Sequence, residues 1–147
     1  PAPNLANLLD IVAVGTVADV VALDKNNRVL VYQGLQRIRS GHCRPGIKAL
    51  FEVANRNKPL GYLTSTDLGF VIGPRLNAAG RLDDMALGIE CLLCDDAIQA
   101  RHMAAELDRL NLQRRAIETE MKEEAEAALE SISLGDALPP ALVLYQP

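Results

Sequence analysis

The feature that most constrains the fold is a stretch from Asp96 to Ser133 that contains neither glycine nor proline. Apolar residues recur in it in steps of three and four, or sums of such steps, at Met103, Leu107, Leu110, Ile117, Met121, Ala128 and Ile132. This spacing predicts one α-helix, capped by Asp95 or Asp96 and about 55 Å long at about 1.5 Å per residue. Because such a helix exceeds the diameter of a small domain, we expect it to connect two bodies.

The composition favours layers of helices for the rest of the chain. Apolar residues make up 49% of the sequence and aromatic residues only 3%, so Leu, Ala, Ile and Val must form the core. That set is typical of helix-on-helix packing rather than of a sandwich or barrel. No run of about 18 apolar residues occurs, so we expect no membrane span and a cytoplasmic protein.

The three cysteines, an odd number, do not indicate a disulfide framework. Cys91 and Cys94 form a C-x-x-C pair, but they lie in an apolar helical stretch and no further ligands complete a zinc set. We interpret them as buried thiols. The end segments, 1–4 and 144–147, have the character of cut points, so we expect the chain to be a segment of a longer protein.

Caps, apolar spacing and helix breakers divide the remaining sequence into short helices. The predicted helices are 4–14, 26–40, 46–55, 64–72 and 83–94. Gly15 and Gly41 are expected to end the first two. Residues 74–82 are expected to form a linker, because Gly73-Pro74 should stop the helix before it. The stretch 141–145 is typical of one β-strand, so the predicted fold class is mainly α with a single terminal strand.

The net charge of −4 is distributed unevenly. Residues 1–24 carry −3, residues 25–82 carry +8, and residues 83–147 carry −9. A basic middle in an acidic chain can mark a surface that faces a polyanion. The alternative is a solvated face whose charges are paired within the protein, and charge alone does not separate the two.

Asp19 is a candidate metal ligand. It follows the segment Gly15-Thr-Val-Ala in otherwise apolar surroundings. Hard divalent cations such as Mg²⁺ and Mn²⁺ prefer carboxylate oxygens, but one aspartate cannot hold such an ion alone. The structural alternative is a helix cap or a solvated turn residue.

Arg75, Asn77 and Arg81 surround the small residues Ala78-Ala79-Gly80. A small-residue turn lets the backbone approach a ligand closely, and flanking arginines can grip phosphate oxygens with two hydrogen bonds each. Asn77 would add neutral donors. The alternative is a connection between helices whose arginines pair with the neighbouring aspartates at 83 and 84.

Three stretches together resemble one family of nucleases. They are Leu9–Val21, Arg44-Pro45-Gly46, and Gly73-Pro-Arg-Leu-Asn-Ala-Ala-Gly-Arg-Leu82. In this order they resemble the RecJ-type exonucleases of the DHH phosphoesterase superfamily, bacterial enzymes that degrade single-stranded DNA in the 5′→3′ direction. The resemblance covers essentially the whole chain, and Gly73–Leu82 is its most specific part.

The resemblance implies a metal-dependent mechanism. Enzymes of this family hold two Mn²⁺ or Mg²⁺ ions with aspartates and a DHH histidine pair, and the ions activate water and clamp the phosphate. Asp19 matches the last metal-ligating aspartate of the family pattern, which implies a catalytic and metal-binding role. Arg81, Arg75 and Asn77 match the loop that faces the DNA backbone, with Arg81 the first choice for a phosphate contact and Arg75 a candidate structural residue. Asp10 matches a recurring position but is not expected to be a ligand.

The resemblance also implies a domain organisation. Residues 1–94 match the C-terminal part of a DHH-type α/β catalytic domain, 95–133 the long connector helix, and 134–147 the start of a DHHA1-like domain. The earlier aspartate motifs, the DHH motif and the later glycine-rich motif are absent, and neither His42 nor His102 lies in a DHH context. With one expected ligand, the chain alone is expected to be inactive, and the missing N- and C-terminal portions of the enzyme are its expected partners.

The resemblance therefore predicts a fragment of a 5′→3′ single-stranded DNA exonuclease that acts in recombination and repair. One alternative is another DHH phosphoesterase, acting on oligonucleotides or cyclic dinucleotides. The other is a non-catalytic helical module that binds DNA or a protein. A DHH motif and further aspartates upstream of this sequence would favour the enzymes.

Overall fold

Seven α-helices dominate the described residues, which in this computed structural model are 4–54, 58–82, 84–131, 141 and 143. The helices are α1 (Leu9–Ala18), α2 (Lys25–Arg39), α3 (Pro45–Ala54), α4 (Ser65–Asp67), α5 (Gly73–Leu82), α6 (Ala86–Leu93) and α7 (Ala97–Ser131). Two short 3₁₀ helices cover Leu5–Leu8 and Leu60–Tyr62. No strand occurs among the described residues, which confirms the mainly α class. The strand predicted at 141–145 lies outside them, apart from Ala141 and Val143.

Helix α7 confirms the long predicted helix. Asp96 caps it, since Oδ1 of Asp96 accepts hydrogen bonds of 2.8 Å from the N–H groups of Ile98 and Gln99. The helix is described through Ser131, and the predicted boundary at residue 133 lies outside the described residues. Of the apolar residues in the predicted stripe, Leu107 and Leu110 are buried, whereas Ile117 and Met121 are exposed. Ala100 and Ala104 extend the buried side of the helix toward its N-terminus.

The segment Ser65–Leu82 is helical throughout, so the predicted linker at 74–82 is wrong. A π-helix, Leu68–Ile72, joins α4 to α5, and the Gly73 N–H donates to the Leu68 carbonyl across this wider turn. Proline lacks an N–H and normally interrupts an α-helix, but a π-helical turn changes which carbonyls need donors. Pro74 is thus tolerated at the start of α5, and Gly73-Pro74 does not stop the helix.

Helix α1 also extends further than predicted. It continues through Gly15 to Ala18, although glycine in a helix costs about 1 kcal/mol relative to alanine. The apolar residues on both sides of Gly15 offset this cost, because Ala13 and Val14 are buried in the core. Gly41 ends α2 as predicted, with a positive φ of 79°.

The core brings together α1, α2, α3, the π-helix and the buried side of α7. Its largest fully buried apolar side chains are Phe51, Ile38, Ile47, Leu50, Leu63, Leu68, Ile72, Leu107 and Cys91. The capping box at Thr64 and Asp67 orients the start of Ser65–Leu82 over this core, since each side chain accepts a hydrogen bond from the other residue's N–H.

The described residues fall into two compact units that divide within α7, between Leu112 and Gln113. In the second unit, ion pairs join Arg114 to Glu118 and Lys122 to Glu126, each four residues apart along the helix. The division into a DHH-type domain, a connector and a following domain stays a prediction. Among the residues that the structure describes, no helix is long and apolar enough to cross a membrane.

Candidate nucleic-acid interface

Asp19 lies at the C-terminal end of α1, where it caps the helix. Its backbone N–H donates to the Gly15 carbonyl at 3.0 Å. Its side chain is exposed and makes no hydrogen bond to another described residue. The last carbonyl groups of a helix carry partial negative charge, which favours a cation at this end. The carboxylate is therefore available to a divalent cation.

Val20 turns the chain sharply just after Asp19. Its φ of 54° is the left-handed conformation, and Val20 is the one non-glycine residue with a positive φ among those described. The Val20 N–H donates to the Val17 carbonyl (3.2 Å) and the Val21 N–H to the Thr16 carbonyl (3.1 Å), which together form a Schellman motif. A β-branched residue is strained in this conformation, and such strain concentrates at functional sites.

The helical segment Ser65–Leu82 packs across the end of α1 through two glycines. A Cβ atom on Gly69 would lie 3.4 Å from Val17 Cγ1, and one on Gly73 would lie 3.1 Å from Ala18 Cβ. The segment therefore advances toward the C-terminal end of α1 as the chain runs from residue 69 to residue 73. A larger residue at Gly73 would crowd Ala18, whereas a Cβ atom at Gly69 would make an ordinary van der Waals contact.

Asn77 and Arg81 follow Gly73 at four-residue intervals, so the three lie on one face of α5. At about 1.5 Å per residue they lie about 6 and 12 Å beyond Gly73 along the helix, past the point of contact with Ala18. Both side chains are exposed, and neither makes a hydrogen bond to another described residue. We use the name Asp19 face for the exposed residues Asp19, Asn77 and Arg81, which lie on the contacting helices α1 and α5.

Arg75 points elsewhere. Its Nε donates to Oδ1 of Asp108 at 2.9 Å, and its Nη2 lies 2.7 Å from the same oxygen. Its Nη1 donates to the Val71 carbonyl at 2.7 Å. The structural alternative considered for this arginine, a bond within the protein, is thus realised through α7 and not through the neighbouring aspartates. The phosphate contact of Arg75 stays a prediction, as do those of Asn77 and Arg81.

The small residues between these side chains do not form an exposed turn. Ala78 and Ala79 are fully buried in α5, and a Cβ atom on Gly80 would lie 3.3 Å from Met85 Sδ. The expectation that this backbone approaches a ligand is wrong. The small residues instead allow α5 to pack closely on its neighbours, and the side chains of Asn77 and Arg81 carry the exposed polar groups.

An apolar groove of about 360 Å³ adjoins the Asp19 face and was not expected from the sequence. Its lining residues are Thr16, Val17, Ala18, Val20, Val21, Leu23, Ser65, Thr66, Gly69 and Phe70. Val20 is 88% exposed and Phe70 is 80% exposed. An exposed aromatic ring is a surface on which nucleobases can stack. The apolar stretch around Phe70 resembles a core sequence, so no local pattern marked it as exposed.

Asp10 is structural. It is 2% exposed, and its Oδ1 accepts a hydrogen bond of 2.5 Å from the Arg44 guanidinium. Its Oδ1 also accepts from the Ile11 N–H and its Oδ2 from the Arg44 N–H. The Asp10–Arg44 pair ties α1 to the start of α3, in agreement with the expectation that Asp10 is not a metal ligand.

The described residues do not form a complete metal site. They contain no cluster of three or more His, Cys, Asp or Glu side chains that could hold an ion. Burial raises the pKa of the Cys43 thiol to about 11, with Asp10 adding to the shift, and burial likewise raises the pKa of Cys91 to about 11. Both thiols are therefore neutral. Cys91 is buried as predicted, whereas Cys94 is only partly buried. Asp19 fits a Mn²⁺ or Mg²⁺ site, but as one ligand among several.

Relatives from several bacteria match nearly all of the chain, whereas no protein-family model matches it. The single-stranded-DNA-specific exonuclease RecJ of Dickeya dadantii is 59% identical over 146 residues, which cover 99% of this chain and 25% of that protein. The Escherichia coli RecJ is 58% identical with the same coverage. The Thermus thermophilus RecJ is 40% identical over 113 residues, or 16% of its length. The chain thus spans about a quarter or less of these relatives.

Solved structures agree with the sequence comparison. A crystal structure of exonuclease RecJ bound to manganese aligns with a TM-score of 0.73 and 37% identity, over 83% of this chain and 30% of that one. The Mg²⁺ complex of the Thermus thermophilus RecJ aligns equally well, over 19% of its chain. In sequence and in fold, this chain therefore corresponds to a segment of the RecJ single-stranded-DNA-specific exonucleases.

Proposed function

We propose that the chain supplies one wall of the active site of a metal-dependent 5′→3′ exonuclease for single-stranded DNA. One observation carries the proposal: Gly73 packs on Ala18, directly before Asp19, and the exposed side chains of Asn77 and Arg81 lie one and two turns further along α5. A carboxylate suited to a cation and donors suited to a phosphate then face one substrate. The match to RecJ proteins, some solved with Mn²⁺ or Mg²⁺, supports this chemistry.

Each residue has a distinct task in the proposal. Asp19 holds a divalent cation with an anionic oxygen, and further ligands come from parts of the enzyme that the described residues do not include. Arg81 donates two parallel hydrogen bonds to a backbone phosphate, and Asn77 donates one from its amide. When bound, the metal ions activate water and stabilise the charge that develops on the scissile phosphate. The cytoplasmic location and the role in recombination and repair belong to the same proposal.

The proposal predicts that the chain alone does not cleave DNA, since Asp19 is one ligand of a larger set. A chimeric enzyme, in which this chain replaces the matched segment of the 58% identical Escherichia coli relative, should cleave single-stranded DNA with Mn²⁺ or Mg²⁺. In this chimera, Asp19→Asn should lower kcat by at least about a hundredfold, because a neutral amide binds a hard cation poorly.

Asp24 offers a matched control for that experiment. It is an exposed aspartate five positions later, and it caps α2 by accepting a hydrogen bond from the Asn27 N–H. Asparagine caps helices as well as aspartate does, so Asp24→Asn should leave cleavage unchanged. A folded chimera whose cleavage survives Asp19→Asn, or one that loses cleavage equally with Asp24→Asn, would contradict the metal-binding role.

A further inference from the structure

The Arg75 side chain is fully engaged inside the protein. It is 13% exposed, and Nε, Nη1 and Nη2 each have a protein oxygen within 2.9 Å. This guanidinium could bind a DNA phosphate only if its contact with Asp108 were broken. Arg81, six residues later, is exposed and has no such partner among the described residues. The two arginines of the motif therefore have different roles.

The two groups that accept hydrogen bonds from Arg75, the Val71 carbonyl and the Asp108 carboxylate, belong to two different helical segments. The Val71 carbonyl belongs to the π-helix that precedes Pro74. Asp108 lies on α7 beside Leu107, which is fully buried. The guanidinium thus links the irregular part of Ser65–Leu82 to a packed part of α7. The Arg75 side chain donates to the Val71 carbonyl at 2.7 Å.

Helical geometry relates this link to the Asp19 face. Successive residues of an α-helix are about 100° apart, so Gly73, Asn77 and Arg81 lie within a sector of about 80° that is centred nearly opposite Arg75. Gly73 in that sector contacts Ala18, and Arg75 on the other side contacts α7. Helix α5 is therefore held from two sides, and a rotation about its axis would displace Asn77 and Arg81.

We propose that Arg75 is a positioning residue: its bonds to Asp108 and Val71 fix the rotation of α5, so that Asn77 and Arg81 face the DNA. This inference rests on the proposed function of the Asp19 face. It assigns Asp108, which no sequence motif singled out, to the same task. In this role Arg75 promotes DNA binding through the orientation of α5 and does not itself contact a phosphate.

Asp108→Asn gives the sharpest test, because the two roles predict opposite signs. The substitution removes a negative charge and frees the guanidinium, so a phosphate-contacting Arg75 would bind single-stranded DNA more tightly. A positioning Arg75 would lose its anchor, and we expect Kd to rise about tenfold in the chimera, with EDTA present to prevent cleavage. Glu106→Gln is the matched control, since Glu106 lies on the same helix and pairs with the exposed Arg109. It removes the same charge and should not weaken binding.

The salt dependence of binding separates the two arginines. For single-stranded DNA, the logarithm of the association constant decreases linearly with the logarithm of the salt concentration. The magnitude of this slope becomes smaller by about 0.7 for each phosphate contact that a substitution removes. Arg81→Gln should reduce the slope by that amount. Arg75→Gln should raise Kd but leave the slope unchanged, and adding Asp108→Asn to it should weaken binding little further. Tighter binding by Asp108→Asn, or a smaller slope for Arg75→Gln, would overturn the positioning role.

Amide hydrogen exchange of the chain without DNA provides an independent readout. Asp108→Asn should speed exchange within 73–82 and leave α2 unchanged, whereas general destabilisation would speed both. Unchanged exchange in 73–82 would contradict the inference even if the variant binds DNA poorly. Normal DNA binding by the Arg81→Gln chimera, together with normal cleavage by the Asp19→Asn chimera, would contradict the proposed function. Hydrogen exchange would then still test whether Arg75 links α5 to α7.

Discussion

The strained turn after Asp19 leads to a prediction that runs against ordinary mutational experience: replacing Val20 by glycine should stabilise the protein. A residue with a Cβ atom in the left-handed conformation costs about 1–2 kcal/mol, and Val20 adopts it with φ of 54°. Glycine removes this cost, but its greater conformational freedom in the unfolded chain cancels about 0.5–1 kcal/mol of the resulting stabilisation. Little apolar burial is sacrificed, because Val20 is 88% exposed.

The expected net effect of Val20→Gly is therefore a stabilisation of about 0.5–1 kcal/mol, equivalent to a Tm increase of about 1–4 °C for a chain of this size. Urea unfolding followed by circular dichroism would measure it as a higher midpoint with an unchanged slope. Glycine should also relax the turn that orients Asp19, so the stabilised variant should lose activity in the chimera.

Gly41 provides the reverse experiment in the same chain. It occupies the equivalent position after α2, with φ of 79° and with the His42 N–H donating to the Arg37 carbonyl at 2.9 Å. A Cβ atom at Gly41 would meet no other atom within 4 Å, so Gly41→Val should destabilise by backbone strain alone. If Val20→Gly destabilises, or Gly41→Val has no effect, the strain at Val20 is not what the backbone geometry indicates.

Three further predictions concern stability and reactivity. Asp10→Asn should destabilise the chain by about 2–3 kcal/mol in urea unfolding, since it leaves the partly buried Arg44 guanidinium without its anionic partner; a loss below about 0.5 kcal/mol would refute this. Burial alone would raise the pKa of Asp67, but hydrogen bonds from Lys58 and Thr64 lower it below its ordinary 3.8. The stability that Asp67 adds is present above that ordinary value and is lost as pH falls through the lowered pKa, so Asp67→Asn should flatten the acid limb of a stability–pH curve. Cys91 should resist iodoacetamide at pH 8 in the folded chain and react on unfolding, because burial raises its pKa to about 11.

Regular periodicity made the long helix predictable from sequence. The steps of three and four along α7 and the cap at Asp96 are local features, and they predicted the helix. They did not predict which part of the apolar stripe is buried, since Leu107 is buried but Met121 is exposed. Gly41 was equally predictable as a helix end, because glycine readily adopts a positive φ.

The predictions from sequence were wrong where contacts between residues distant along the chain outweigh local sequence patterns. Proline normally ends a helix, but the π-helix before Pro74 and the packing of Gly73 on Ala18 keep Ser65–Leu82 continuous. Neither feature is visible in a local pattern. The partner of Arg75 is 33 residues away on α7, and the sequence suggested only the neighbouring aspartates. One signal was available: Asp108 is an acid directly beside the apolar stripe of α7, where a charge needs a partner.

The residues of the candidate site came from the resemblance, and their geometry came only from the structure. The resemblance to RecJ-type enzymes selected Asp19, Asn77 and Arg81, and the structure places their helices in contact at the end of α1. It also shows that the exposed groups stand on a helix face and not on a loop. The apolar groove beside Phe70 could not be anticipated, because apolar sequence normally indicates burial.

An experimental structure of the chimeric enzyme with Mn²⁺ and an uncleavable single-stranded oligonucleotide would test the central claim most directly. The account predicts an Asp19 oxygen at about 2.1 Å from a metal ion. It also predicts Arg81 within hydrogen-bonding distance of a phosphate next to the scissile one, with Arg75 still bound to Asp108. An Asp19 side chain far from any ion, or an Arg81 that faces away from the bound strand, would contradict it.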